Sequence, residues 1–179
     1  MNIDFDRCYA FLMKDERGFQ NATTDPGNHL PDGRAGATNC GVTQKAWESW
    51  VEHQVTQDDM RALTPMVVKP FYHAQYWNVV RGDDLPVGID YLLFDFGVNH
   101  GAKSAAMMLQ EVVGTNPDGA IGKITLASVA AMPVQRLIDA YSDAKRAFYI
   151  SLHDHVNQQG WLNRVDEVRL NAMGMIATF

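Results

Sequence analysis

Residues 14–44 read KDERGFQNATTDPGNHLPDGRAGATNCGVTQ. From residue 17 on they hold five glycines (18, 27, 33, 36 and 41), Pro26, Pro31 and many Asn, Asp and Thr. That is turn chemistry, not helical periodicity. Before it, Phe5, Cys8, Tyr9 and Leu12 fall at i, i+3, i+4 and i+7, which predicts a helix over 2–15 closed by Gly18. After it, helical patterns resume at Lys45. An irregular segment this long in a small chain is expected to be a structured functional loop, with room for two or three short strands such as ATNCGVT. The fold class that follows is α+β, predominantly helical, with a small β-containing lobe near the N-terminus.

Further along, Thr56 with Asp59 forms a capping-box start, and Thr64-Pro65 starts a helix with proline in its first turn. Pro70 should kink that helix or delay its beginning. RGDDLP (81–86) reads as a loop. VGIDYLLFDFGVNHG (87–101) reads as a buried helix ending near Gly101. Ala102, Ala105, Ala106, Leu109, Val112 and Val113 share the face of the next helix, and GTNPDGAIG (114–122) is a turn-rich loop. Val134, Leu137, Ile138, Tyr141, Phe148 and Leu152 mark a long amphipathic helix, and residues 161–176 a last one.

The 179 residues make one domain or two closely packed lobes, and a hydrophobic fraction of 46% supplies a core. No stretch approaches the roughly 18 apolar residues of a membrane span, and the N-terminus lacks the pattern of a secretory signal. The expectation is a soluble chain made in the cytosol and released by another factor if it acts outside. The net charge of −6 argues against a nucleic-acid partner. Cys8 falls on the apolar face of the first helix and reads as a buried thiol; a Cys8–Cys40 disulfide is possible but not required in a cytosolic product.

Glu16 and Asp25 are the first candidates for chemistry. Glycoside hydrolysis needs one carboxylic acid to protonate the leaving oxygen and a second carboxylate to hold water or support positive charge. Glu16, at the C-terminal end of a helix, faces the negative end of the macrodipole, which favours its protonated form. Arg17 pulls the other way if it points at Glu16, and Asp25 in a polar loop stays ionised. The plain alternative is two solvated surface acids. The histidines are scattered, His153 and His155 point apart on a helix, and no zinc or EF-hand spacing is present, so no metal or other cofactor is expected. No GxSxG occurs, and Cys40-Gly41 alone is a weak nucleophile motif. In FYHAQYW (71–77), the aromatics are either core, or Tyr76 and Trp77 stack on a sugar ring. Asn99 and His100 sit where a buried helix meets glycine, either as a cleft wall or as a cap.

The ordered motifs ERGFQNATTDPGN and GATNCGVTQ resemble the signature of glycoside hydrolase family 108, the N-acetylmuramidase lysozymes of phage endolysins. FYHAQYWNVVRGDDLP is similar to the family's tyrosine-tryptophan segment. LLFDFGVNHGAKSAAMMLQEVVG, DGAIGKITL, RAFYISL and GWLNRV are similar to its accompanying predicted peptidoglycan-binding half. Arg17 and Phe19 depart from the family's Gly and Tyr, and HLPDGRAG (29–36) stands where many relatives have one or two residues.

The resemblance implies a lysozyme-like fold, with residues 1–90 as catalytic lobe and 91–179 as helical lobe flanking a cleft. It implies hydrolysis of the β-1,4 bond between N-acetylmuramic acid and N-acetylglucosamine. Glu16 would be the general acid, Asp25 and Thr38 would position water or stabilise the transition state, and Asn39, Tyr76, Trp77 and Asn99 would contact substrate. Peptidoglycan is the implied partner of a monomer without cofactor, nucleic acid or stable membrane insertion, released by a holin. A lytic transglycosylase and a non-catalytic wall-binding or secretion-related protein are the alternatives.

Overall fold

The computed structural model describes residues 3–15 and 18–177. The chain falls into two compact units, residues 9–72 and residues 1–8 with 73–179. The first helix, α1 (Ile3–Asp15), contributes to both.

In the unit of residues 9–72, the turn-rich segment folds around a two-stranded antiparallel hairpin, β1 (Thr38–Asn39) and β2 (Val42–Thr43), in the register Thr38 to Thr43 and Asn39 to Val42. Its two-residue turn, Cys40-Gly41, has positive φ at both positions, 49° and 73°, as a primed turn matching the strand twist requires. Tyr72 donates its hydroxyl to the Cys40 carbonyl at 2.8 Å and holds that turn down. Thr43 caps α2 (Gln44–Val51) through its hydroxyl, and the capping box at Thr56 and Asp59 starts α3 (Gln57–Arg61). Helix α4 (Pro65–Tyr72) begins at the predicted proline. Pro70 does not delay its start: the helix runs through Pro70, and the chain then widens into a π-helix over His73–Trp77. Leu12, Ala37, Val42, Met60, Val68, Phe71 and Tyr72 are buried here, with Trp47 and Trp50 edge-on to Phe71.

The other unit is helical. Helix α5 (Ile89–His100) is enclosed from Ile89 to Gly97, and α6 (Ala102–Val112), α8 (Val134–Ser151) and α9 (Gln158–Ile176) pack on it, while α7 (Lys123–Ala130) follows the 114–122 loop. The RGDDLP loop contains a short 3-10 turn, Gly82–Asp84. Because α5 is buried on all sides, its two acids need partners. Asp95 accepts from Lys145 and, at 2.9 and 2.7 Å, from Arg164. Burial pushes the Asp95 carboxyl up, but the combined fields and hydrogen bonds of Lys145 and Arg164 outweigh it and hold the group below the usual carboxylate range. Asp90 accepts the amides of Gly88 and Tyr91, both at 2.7 Å, at the start of the helix. Cys8 is buried and Cys40 half-buried, both as free thiols, so the possible disulfide is not formed.

Candidate active site

Helix α1 ends at Asp15, one residue before Glu16 in the chain. Glu16 and Arg17 lie outside the described residues. Past them, Gln20 pairs with Thr38 through both backbone groups, at 2.8 Å each way, which lays a third short segment beside the hairpin.

Asp25 hangs at the tip of the loop between Gln20 and Asn28, and both carboxylate oxygens are engaged. Oδ1 accepts the Gly27 amide at 2.8 Å and Oδ2 accepts the Gln20 amide Nε2 at 2.6 Å. Gln20 Oε1 in turn accepts from Asn28 Nδ2 at 2.7 Å and from the Ala22 amide at 3.0 Å. Asn28 Oδ1 accepts the Thr38 hydroxyl at 3.0 Å. The hydroxyl of Thr38, the amide of Asn28 and the amide of Gln20 therefore donate in one direction, ending on the Asp25 carboxyl group. Chains of this kind polarise each other and stiffen as a unit. Asn28 is 3% exposed, whereas Asp25 and Thr38 are half-buried and so remain reachable. Gly27 sits in a tight spot: a Cβ there would lie 3.2 Å from both Asp25 Oδ1 and Thr43 Cγ2.

The 29–36 segment is an ordered excursion that leaves and returns at Asn28. Leu30 and Arg34 pair through their backbones, and the Gly36 amide donates to the Asn28 carbonyl at 2.7 Å. Arg34 clasps Glu48 of α2 with two bonds of 2.9 Å and reaches Asp32 at 2.7 Å. The Arg34 hydrogen bonds hold the Glu48 carboxyl at about 2.

The expected sugar contacts fare differently. Asn39 is buried, and its amide donates to the carbonyls of Met60 (2.8 Å) and Leu63 (3.1 Å) while its oxygen accepts from the Cys40 amide at 2.9 Å; it pins the hairpin to the end of α3. Trp77 is 0% exposed, lies edge-on to Phe5 and Phe94, and donates to Asp83 at 2.6 Å. Gly82 lets the indole lie against the backbone, since a Cβ there would come within 2.3 Å of the ring. No face of Trp77 is left for a sugar, and core packing is the role the structure gives it. Tyr76 is half-buried, and burial pushes its phenol up. Asn99 is exposed and donates to the Asp95 carbonyl of its own helix at 2.7 Å. Sequence reading missed Gln20 and Asn28. The only hint was their polarity beside the acid motif, because their roles depend on a cross-strand pairing that no periodicity reveals.

Among the described residues no cluster of three or more His, Cys, Asp or Glu could hold a metal ion, and no helix is long and apolar enough to cross a membrane. A predominantly helical α+β chain, with an acid-bearing polar loop ahead of a small hairpin after its first helix, has the lysozyme-like fold. Residues 9–101 match the model of glycosyl hydrolase 108, and the chain belongs to that family. Residues 104–166 match the family described as a predicted peptidoglycan domain. Among solved structures, Brucella abortus SagA is similar, with 36% sequence identity, a TM-score of 0.82, and coverage of 96% of this chain and 94% of that one. No curated protein sequence matches the chain. It is a glycoside hydrolase carrying a peptidoglycan domain.

Proposed function

We propose that the chain is an N-acetylmuramidase that hydrolyses the β-1,4 bond between N-acetylmuramic acid and N-acetylglucosamine in peptidoglycan. The observation that carries this reading is the one-directional relay from Thr38 through Asn28 and Gln20 to Asp25, found within the region matched by the glycosidase family. Glu16 protonates the leaving oxygen. Asp25 activates water or supports charge at the anomeric carbon. Thr38 has its proton directed to Asn28 and presents its lone pairs to that water. Tyr76 and Asn99 are the remaining candidates for contact with the glycan. Residues 1–90 carry the chemistry and residues 91–179 hold the wall.

Product analysis on purified peptidoglycan tests this. The wild-type chain should release reducing ends, and Glu16→Gln and Asp25→Asn should each lower the rate by at least about 100-fold. Products lighter by one water would instead identify a lytic transglycosylase. Equal clearing of walls by wild type and Glu16→Gln would end the catalytic assignment. We place the enzyme in phage-type lysis, made in the cytoplasm and admitted to the wall by a holin. Expression in a bacterium should then cause lysis only when a holin is co-expressed.

A further inference from the structure

The loop after α6 and the first turn of α7 enclose a cavity of about 350 Å³, within the range that accommodates small ligands. Its floor is rigid. Gln110, 2% exposed, donates through Nε2 to Asp118 Oδ1 at 2.8 Å and the Ala120 carbonyl at 3.1 Å, and accepts the Gly119 amide at 2.8 Å. Thr125, 3% exposed, closes the floor beside it.

The rim is built differently. The side chains of Asn116 and Lys123 are exposed and make no hydrogen bond or ion pair with a described residue, and Ile124 is 77% exposed. An amide, a cation and an aliphatic group thus converge on one opening with no part in holding the fold. Gly122, at the same opening, has an ordinary extended backbone (φ −101°), and a Cβ there would meet nothing within 4 Å. Neither strain nor packing requires glycine there, and its effect is to keep the mouth clear. Lys103 lies along Gly119, and its charge acts on Asp118. At the cavity itself Lys123 is the cation of the rim, while the one carboxylate, Asp118, is already tied to Gln110.

We propose that this cavity docks the peptide stems of peptidoglycan. A free stem carboxylate pairs with Lys123, a stem amide with Asn116 and Thr115, and a side-chain methyl rests on Ile124. The inference builds on the reading of the chain as a peptidoglycan hydrolase, and the cavity falls within residues 104–166, matched by the predicted peptidoglycan domain. Docking by stems would let the enzyme tell wall-borne glycan from bare glycan.

Co-sedimentation of the full chain with insoluble sacculi on ice tests the proposal, with Lys123→Glu, Lys123→Arg and Ile124→Ser compared with wild type. These side chains are exposed, and their replacement leaves the core untouched. Lys123→Glu and Ile124→Ser should each weaken binding roughly tenfold, the loss expected for one charge-assisted or apolar contact, and Lys123→Arg should retain it. Sacculi stripped of stems by an amidase should bind wild type no better than they bind Lys123→Glu. Rates on soluble, stem-free glycan strands should be the same for all four proteins. Unchanged binding by both Lys123→Glu and Ile124→Ser, or equal binding to stripped and intact sacculi, would overturn the proposal. If wild type releases no reducing ends from any substrate, the muramidase reading fails, and the sedimentation result still decides the cavity.

Discussion

The loop around Asp25 and the helix around Asp95 each tie down an aspartate, and they do so in opposite ways. Asp25 is half-buried and held by neutral donors, a backbone amide and the Gln20 side chain. Asp95 is 1% exposed and held by two cations. Neutral donors fix direction and leave the carboxyl group accessible to a reactant. Two cations around a buried carboxylate fix three helices together and leave that carboxylate inaccessible. The difference separates a polar network that leaves its acid open, as the proposed chemistry requires, from one that serves assembly.

The sharpest way to break the comparison is at Asp95. Asp95→Asn leaves the Lys145 charge buried without its counter-ion, and should cost about 3–5 kcal/mol of stability in urea unfolding. Next is Asp90, whose carboxyl burial pushes up to about 7. Between the ordinary aspartate value and 7, the folded chain keeps a proton that the unfolded chain releases. This contribution is therefore full at the acid end and is lost as pH rises to about 7. Asp90→Asn preserves an acceptor for the Gly88 and Tyr91 amides, removes that slope and should gain about 2 kcal/mol at pH 8 in parallel denaturant titrations.

At the other site the effect should appear in rate and not in stability. Gln20→Leu cuts the relay next to Asp25, and should lower kcat on peptidoglycan by about 10- to 100-fold, with KM and the melting temperature nearly unchanged. A large fall in melting temperature with proportionate inactivation would make Gln20 a structural residue like Asp95. The smallest effect concerns the clasp beside the loop. Because Glu48 is held at about 2, its contribution is full above the ordinary glutamate value and is lost as pH falls toward 2. Side-chain exposures of 35% for Arg34 and 16% for Glu48 limit this to about 1 kcal/mol, and Glu48→Gln should flatten the acid limb of the melting curve by that amount.

These two networks were not equally legible in the sequence. A continuous apolar run located α5, apolar periodicity located α6 and α8, and the capping residues located the starts of α3 and α4, because those signals are local. That Asp95 would meet Lys145 and Arg164 could not be read, since each lies on a different helix and the pairing depends on helix rotation. In the hairpin, the turn residues announced a structured segment and the motif singled out Asp25 and Thr38. The link between them runs through Gln20 and Asn28, which only the Gln20–Thr38 backbone pairing brings into reach. Trp77 shows the converse limit: an aromatic run has the same appearance whether it lines a core or greets a sugar, and the gap opposite it, provided by Gly82, is a feature of the folded chain.

The excursion over residues 29–36 has a practical consequence. Its ends are fastened at Asn28–Gly36 and at Arg34–Glu48, while Pro31, Asp32 and Gly33 at its tip are exposed. Chain added at that tip is paid for mainly in loop-closure entropy, about 0.6 kcal/mol for each doubling of length. The tip is thus a ready graft point, where a cell-targeting peptide could be displayed near the hairpin while the position of Thr38 stays fixed.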